Sequence, residues 1–204
     1  MKKEILWKKI KSETKTIWAG EIESFPYGST QPPTINSVAY EYEDMDDWMA
    51  VAKGEKDGHI YGRNTNPTVQ ILEEKIALLE DAESATAFSS GMAAVSNTLF
   101  ANLNSGDRVI VGKDTYGGTS KLFLEFLHQF DIDVTFCDTT DLKAFEQEMN
   151  NKCDLLYLET PTNPTLKIQN IESLSNIAKR SGSLVVVDNL SLIHISEPTR
   201  RTPI

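Results

Sequence analysis

Ser183-Leu184-Val185-Val186-Val187-Asp188-Asn189 is an apolar run that closes on a carboxylate. Three consecutive valines, with no polar residue alternating between them, read as a strand covered on both faces, the habit of parallel sheets. Ligands of open α/β sheets bind beyond the carboxyl ends of the strands, so Asp188 stands where a ligand is expected. Val109-Ile110-Val111 is a second run of this kind. Strands are expected at 108–112, 134–138, 154–159 and 184–188, with helices near 117–130, 141–150 and 170–180. That alternation implies right-handed crossovers and a three-layer α/β domain.

Order begins at Asn66-Pro67-Thr68, where Asn is a good helix cap and Pro suits the first helical position. Val69, Leu72, Ile76 and Leu79 then follow at spacings of three and four, one helix face. A short strand is expected at Ala85-Thr86-Ala87-Phe88, then a Ser89-Ser90-Gly91 turn and a helix from Met92 to Leu103. Residues 1–18 can form an amphipathic helix with Ile5, Leu6, Ile10 and Trp18 as contacts. Residues 19–65, with Pro26, Pro32, Pro33 and an acidic patch from Glu41 to Asp47, are too irregular to carry a core of their own. Residues 1–65 therefore read as an arm that packs on something else, such as another subunit, and 66–189 as the α/β domain.

The chain has 204 residues, 40% hydrophobic and 25% charged, which suits one ordinary globular domain. Its net charge of −10 makes nucleic acid and anionic lipid poor general partners, while a local site for one phosphate stays compatible. No apolar run is long enough to span a bilayer, and the charged N-terminus lacks the apolar core of a secretory signal, so a cytoplasmic protein is expected. Cys137 and Cys153 fall on different expected strands without metal-ligand spacing, and read as small buried apolar side chains. No metal site is expected.

Several residues carry possible chemistry. Ser89-Ser90-Gly91-Met92 lies between a strand and a helix, where small residues let backbone N–H groups and the helix N-terminus approach a phosphate. Arg63, in Tyr61-Gly62-Arg63, offers a planar fork to phosphate oxygens, and the Tyr61 hydroxyl can add a hydrogen bond. Tyr116 can lay its ring on a flat cofactor. Asp188 can pair with a protonated ring nitrogen. Each also has a plain structural explanation: capping for the serine turn, a solvated charge for Arg63, packing for Tyr116, a turn or cap for Asp188.

Taken together and in order, YGRNTNPT (61–68), SSGMAA (89–94), DTYGGT (114–119), ETPTNP (159–164) and VVVDN (185–189) resemble the pyridoxal-phosphate enzymes of cysteine and methionine metabolism. That family includes cystathionine γ-synthase, cystathionine γ- and β-lyases, methionine γ-lyase and the O-acylhomoserine sulfhydrylases. The resemblance covers about residues 20–189. It implies the large domain of an aspartate aminotransferase-like, fold type I transferase, with pyridoxal 5′-phosphate as cofactor and a small amino acid as substrate. It also implies a homodimer or homotetramer. By the same resemblance Ser90, Gly91 and Met92 form the phosphate turn, the last two through backbone N–H groups. Tyr61 and Arg63 would reach the phosphate of the neighbouring subunit's cofactor. Tyr116 would stack on the ring and is the one candidate auxiliary in catalysis, Asn163 would contact the ring hydroxyl, and Asp188 would keep the ring nitrogen protonated. Glu159 is the weakest carry-over, with a structural role equally open.

The end of the chain departs from the pattern. A cofactor aldehyde needs a lysine to form a Schiff base, and none follows Asp188. Residues 190–204 fit no part of the family pattern and resemble the translation of a sequencing-adapter read-through, so a non-native tail is expected there. His194 within it is not read as a base. Lys113 and Lys121 flank Tyr116, but a Schiff-base lysine must be aimed closely at the aldehyde, and neither is expected to substitute. The expectation is the front part of a longer enzyme, inactive alone. Methionine γ-lyases tend to carry cysteine where Gly118 stands, which leans toward cystathionine γ-synthase or γ-lyase. Asn64-Thr65-Asn66 is closer to some sulfhydrylases. A non-catalytic cofactor-binding or interaction protein is the reading from another class. A nucleotide-binding domain lacks its glycine-rich fingerprint here.

Overall fold

A computed structural model describes residues 10–21 and 25–192. The chain divides into two units, Met1–Ala87 and Phe88–Ile204, each taken by itself below.

Among the described residues the first unit holds the α-helices α1 (Ser12–Trp18), α2 (Met45–Ala52) and α3 (Pro67–Leu79). The expected N-terminal helix is thus present from Ser12, while Ile5 and Leu6 lie outside the described residues. The Asn66 carboxamide oxygen accepts from the N–H groups of Thr68 and Val69, with Pro67 in the first turn. One oxygen thus serves two of the N–H groups that a helix start leaves without a partner, and proline has none to satisfy. The buried Lys15 on α1 donates to Leu78 O and to Asp81 Oδ1, both at 3.0 Å, which fastens α1 to the end of α3. Lys75 on α3 returns the contact to Ile17 O at 2.8 Å and to the Glu21 carboxylate. The irregular arm is also tied down. Gly62 N–H donates to Val38 O at 2.7 Å, and the Asn66 carboxamide donates to Ile35 O at 2.9 Å. Val69, Leu72, Ile76 and Leu79 are helical as the spacing predicts, yet each stays exposed.

The expected strand at 85–88 does not form. Ala87 N–H donates to the Glu73 carboxylate at 2.7 Å, so a donor that a ladder would use is already committed to a helix side chain.

The second unit runs α4 (Gly91–Asn102), β1 (Arg108–Gly112), α5 (Gly117–Lys121), β2 (Asp133–Cys137), α6 (Leu142–Glu148), β3 (Leu155–Glu159), α7 (Ile171–Ser181) and β4 (Leu184–Asp188). The chain after α5 widens into a π turn at Leu122–Phe126 and tightens into a 3-10 turn at Leu127–Phe130 before Asp131 reverses it at φ 58°. The four strands are parallel, in the order β2-β1-β3-β4. Alternate side chains of the central strands go to opposite faces. Val109, Val111, Leu155 and Tyr157 pack with Leu99, Phe123 and Leu127 on one side. Ile110, Leu156 and Leu158 pack with Phe145, Leu174 and Ile177 on the other. Helices thus cover both faces, and the three-layer α/β expectation holds. Cys137 and Cys153 are free and buried, and burial pushes the Cys137 thiol up to about 11. Among the described residues no helix is long and apolar enough to cross a membrane.

Candidate functional site

A cavity of about 560 Å³ opens where β3 and β4 end. Ser90, Gly91, Met92, Tyr116, Asn163 and Asp188 all line it. Six residues from four separate stretches of sequence therefore meet at one place, at the carboxyl ends of the strands where the sheet rule puts a ligand. The volume falls in the range of small-molecule sites, about 300–1,000 Å³. Tyr61 and Arg63 belong to the first unit. There the Arg63 guanidinium sits 5.2 Å from the centroid of the Tyr61 ring, and both residues are exposed.

One end of the cavity suits an anion. Ser90 is extended, its hydroxyl accepting from Ala93 N–H and its carbonyl from Ala94 N–H, each at 3.1 Å. The first N–H groups of a helix have no partner within it, which leaves Gly91 and Met92 facing the cavity with donors and with the positive end of the α4 dipole. At Gly91 a Cβ would meet only the tip of the Leu190 side chain, 2.6 Å away at Cδ1. Glycine at 118 allows the close approach of an aromatic wall. A Cβ there would lie 2.8 Å from the Tyr116 ring and 3.1 Å from Met92 Sδ. Tyr116 is half exposed, its ring bordering the cavity.

The cavity wall also carries two carboxylates side by side, because Glu159 and Asp188 are register partners at the ends of β3 and β4. They are held differently. Glu159 is 3% exposed. Its Oε2 accepts from Tyr116 N–H at 2.8 Å and its Oε1 from Asn163 N–H at 2.7 Å. One buried side chain thus joins the two loops that carry the ring wall and the carboxamide. Burial raises its pKa above the usual carboxylate range, the two N–H groups oppose that rise, and the Asp188 charge adds to it. Asp188 accepts from the Tyr157 phenol on Oδ2 at 2.8 Å and from Leu190 N–H on Oδ1 at 3.0 Å. A second tie between the loops lies further out. There Lys167 Nζ meets Asp114 Oδ2 at 2.8 Å and holds that carboxyl below its ordinary range.

Sequence reasoning left Glu159 undecided and passed over Tyr157. The signal was the period of two in β3: Leu155, Tyr157 and Glu159 share a face, and that face leads to the cavity. Lys113 and Lys121 are exposed, Lys121 lies 3.7 Å from Glu125, and no lysine is among the described residues that line the cavity. The 190–192 segment is a short 3-10 turn, and His194 lies outside the described residues. Among the described residues no group of three or more His, Cys, Asp or Glu is placed to hold a metal ion.

A helix N-terminus, an aromatic ring and a carboxylate lining one cavity fit a planar ring that bears a phosphate and a protonated nitrogen. Comparison with known proteins agrees with that class. Residues 13–194 match the model of the Cys/Met metabolism PLP-dependent enzymes, and the chain belongs to that family. It is 40% identical over 177 residues to the L-methionine gamma-lyase of Fusobacterium nucleatum subsp. polymorphum, covering 86% of this chain and 45% of the relative. It is 40% identical over 136 residues to the cystathionine gamma-lyase of Bacillus subtilis (strain 168), covering 67% and 36%. A Campylobacter jejuni structure containing N′-pyridoxyl-lysine-5′-monophosphate superposes with a TM-score of 0.82 at 29% identity, covering 89% of this chain and 44% of that one. The fold is therefore that of the pyridoxal-phosphate transsulfuration enzymes. The chain spans about half the length of the curated relatives it matches.

Proposed function

We propose that residues 66–189 build the N-terminal part of a pyridoxal 5′-phosphate site. The parent activity would make or break carbon–sulfur bonds in cystathionine- and homoserine-derived amino acids, in the manner of cystathionine γ-synthase or γ-lyase. The observation that carries this reading is the meeting of the α4 N-terminus, Tyr116, Asn163 and Asp188 around one cavity. In this assignment Gly91 and Met92 bind the phosphate through N–H groups, with Ser90 capping the helix that presents them. Tyr116 lies on the ring face and is the candidate to carry a proton near the substrate. Asn163 contacts the ring hydroxyl, and Asp188 accepts from the ring nitrogen. Tyr61 and Arg63 are assigned to the phosphate of a neighbouring subunit's cofactor, in a homodimer or homotetramer. When bound, the cofactor supplies an electron sink for bond changes on the amino-acid substrate. The chain's own residues bind and orient it, and Asp188 keeps a proton on the ring nitrogen.

A methionine γ-lyase assignment is favoured by the Fusobacterium relative at 40% identity. Gly118 leans away from it, since methionine γ-lyases tend to carry cysteine at that position.

The reading also assigns no turnover to the 204-residue chain alone, since no lysine is among the described residues that line the cavity. The test is titration of the chain with pyridoxal 5′-phosphate, followed by absorbance and tryptophan fluorescence. Saturable binding is expected, competed by inorganic phosphate and weakened by Asp188→Asn, with no ammonia or keto-acid release from cystathionine. Absence of saturable binding overturns the site. A borohydride-reducible link to Lys113 accompanied by turnover overturns the inactivity.

A further inference from the structure

We propose that Tyr157 is a positioning residue for the ring-nitrogen contact, acting through Asp188 to make that end of the cavity select a ligand with a protonated ring nitrogen. This rests on the cofactor reading and goes beyond it. Tyr157 is 1% exposed and sits inside the sheet core, its ring 5.1 Å from that of Phe123 in an edge-on contact. Its hydroxyl reaches the cavity and donates to Asp188 Oδ2 at 2.8 Å.

The polarity of the contact follows from what surrounds it. Burial and the Asp188 charge both hold the phenol protonated, so it can only donate to the carboxylate. The buried Thr119 hydroxyl donates elsewhere, to Met92 Sδ at 3.8 Å. Tyr157 and Asp188 thus form a pair with one direction, phenol donor to carboxylate acceptor.

Leu190 N–H occupies the other oxygen of Asp188 at 3.0 Å. A carboxylate has about four acceptor positions, so two fixed donors set the plane of the group and leave acceptor positions for the cavity. An oxygen so fixed wants a donor opposite it, and a positively charged N–H gives the strongest bond. A neutral pyridine nitrogen or a carbon at that position gains nothing from the arrangement.

The test compares pyridoxal 5′-phosphate with its 1-deaza analogue, which has the same shape and phosphate but a carbon in place of the ring nitrogen. Dissociation constants are measured by fluorescence on the full chain, on Tyr157→Phe, on Asp188→Asn and on the double variant. The unmodified chain is expected to prefer the natural cofactor. Tyr157→Phe should weaken that ligand about tenfold, the scale of one hydrogen bond to a charged group, and leave the analogue within about twofold. In the Asp188→Asn background the Tyr157 substitution should have no further effect on the ratio.

A Tyr157→Phe chain that keeps the full preference overturns the inference while leaving the cofactor site standing. So does equal weakening of both ligands, which marks a packing role only. Failure of the unmodified chain to bind either ligand overturns the cofactor reading and this inference with it. Should Tyr157→Phe lose its circular-dichroism signature, Tyr157→Leu supplies the same comparison. It keeps an apolar side chain in the core and removes the hydroxyl, and a loss confined to the natural cofactor is expected. An unchanged ratio overturns the inference.

Discussion

A carboxylate that is almost fully buried and accepts two backbone N–H groups from different loops has few tolerable replacements. Glu159→Gln keeps the volume and one acceptor, but its NH2 must face the N–H of either Tyr116 or Asn163. Cofactor affinity is expected to fall about tenfold, the scale of one charge-assisted bond, as read by the same fluorescence titration. Glu159→Ala leaves both donors without a partner and should cost about 2 kcal/mol in urea denaturation. The pH dependence separates stability from loop order. The pKa of Glu159 is raised, chiefly by burial. Its contribution to stability is therefore fully present below the unfolded carboxylate value and is lost as pH rises through the folded one. Acid does not unfold the chain through this residue. Protonation does turn one acceptor into a hydroxyl, so amide protection at Tyr116 and Asn163 should fall on mild acidification while no stability is lost through Glu159. In Glu159→Gln that pH dependence should be absent. Identical protection profiles in the two proteins would remove the clamp from the argument. None of this was legible in ETPTNP as a string, because the role of Glu159 depends on where two distant loops fold back.

At the level of elements, the parallel strands were the most legible part. Runs such as Val109-Ile110-Val111 and Val185-Val186-Val187 have no polar face, and only a sheet covered on both sides accommodates them. The observed strands lie within one residue of those expected. Helix starts were legible for the same chemical reason, since Asn66 and Ser90 accept from the N–H groups that the helices leave free. Ser90→Ala should cost about 1 kcal/mol in denaturant unfolding, the typical worth of such a cap. What the sequence hid were two irregularities: the missing strand at 85–88, where the Glu73 carboxylate takes the Ala87 N–H, and the widening at Leu122–Phe126. Arg108 was hidden too. At the start of β1 its guanidinium donates to Thr135 Oγ1 on β2 and to Glu148 O and its carboxylate at the end of α6. It joins three elements at the end of the sheet away from the cavity. Arg108→Ala should lower stability by about 2 kcal/mol, as expected for losing bonds made by a charge. Cofactor affinity of the folded fraction should be unchanged. A parallel loss of affinity would mean that the two ends of the sheet are coupled.

For the molecule in solution, the balance lies between an open sheet edge and a like-charged surface. β4 pairs with β3 on one side, and no described strand pairs with its other side. Leu184 and Val187 on it are 44% and 36% exposed. A parallel edge with apolar side chains is a template for pairing with another copy. The net charge of −10 opposes that encounter. This repulsion is long-ranged only at low ionic strength, since the screening length falls from about 30 Å at 0.01 M to about 8 Å at 0.15 M. Edge pairing depends on contact and is screened far less. Self-association of the 204-residue chain is therefore expected to increase with salt, as followed by light scattering against concentration. Leu184→Lys places a charge on the open edge at the start of β4, outside the cavity-lining residues. It should shift the onset of association to higher protein concentration and leave cofactor affinity within about twofold, since surface changes away from a site have small effects. Unchanged association in Leu184→Lys would show that β4 is not the surface through which copies meet. Attention would then pass to the exposed face of Val69, Leu72, Ile76 and Leu79 on α3.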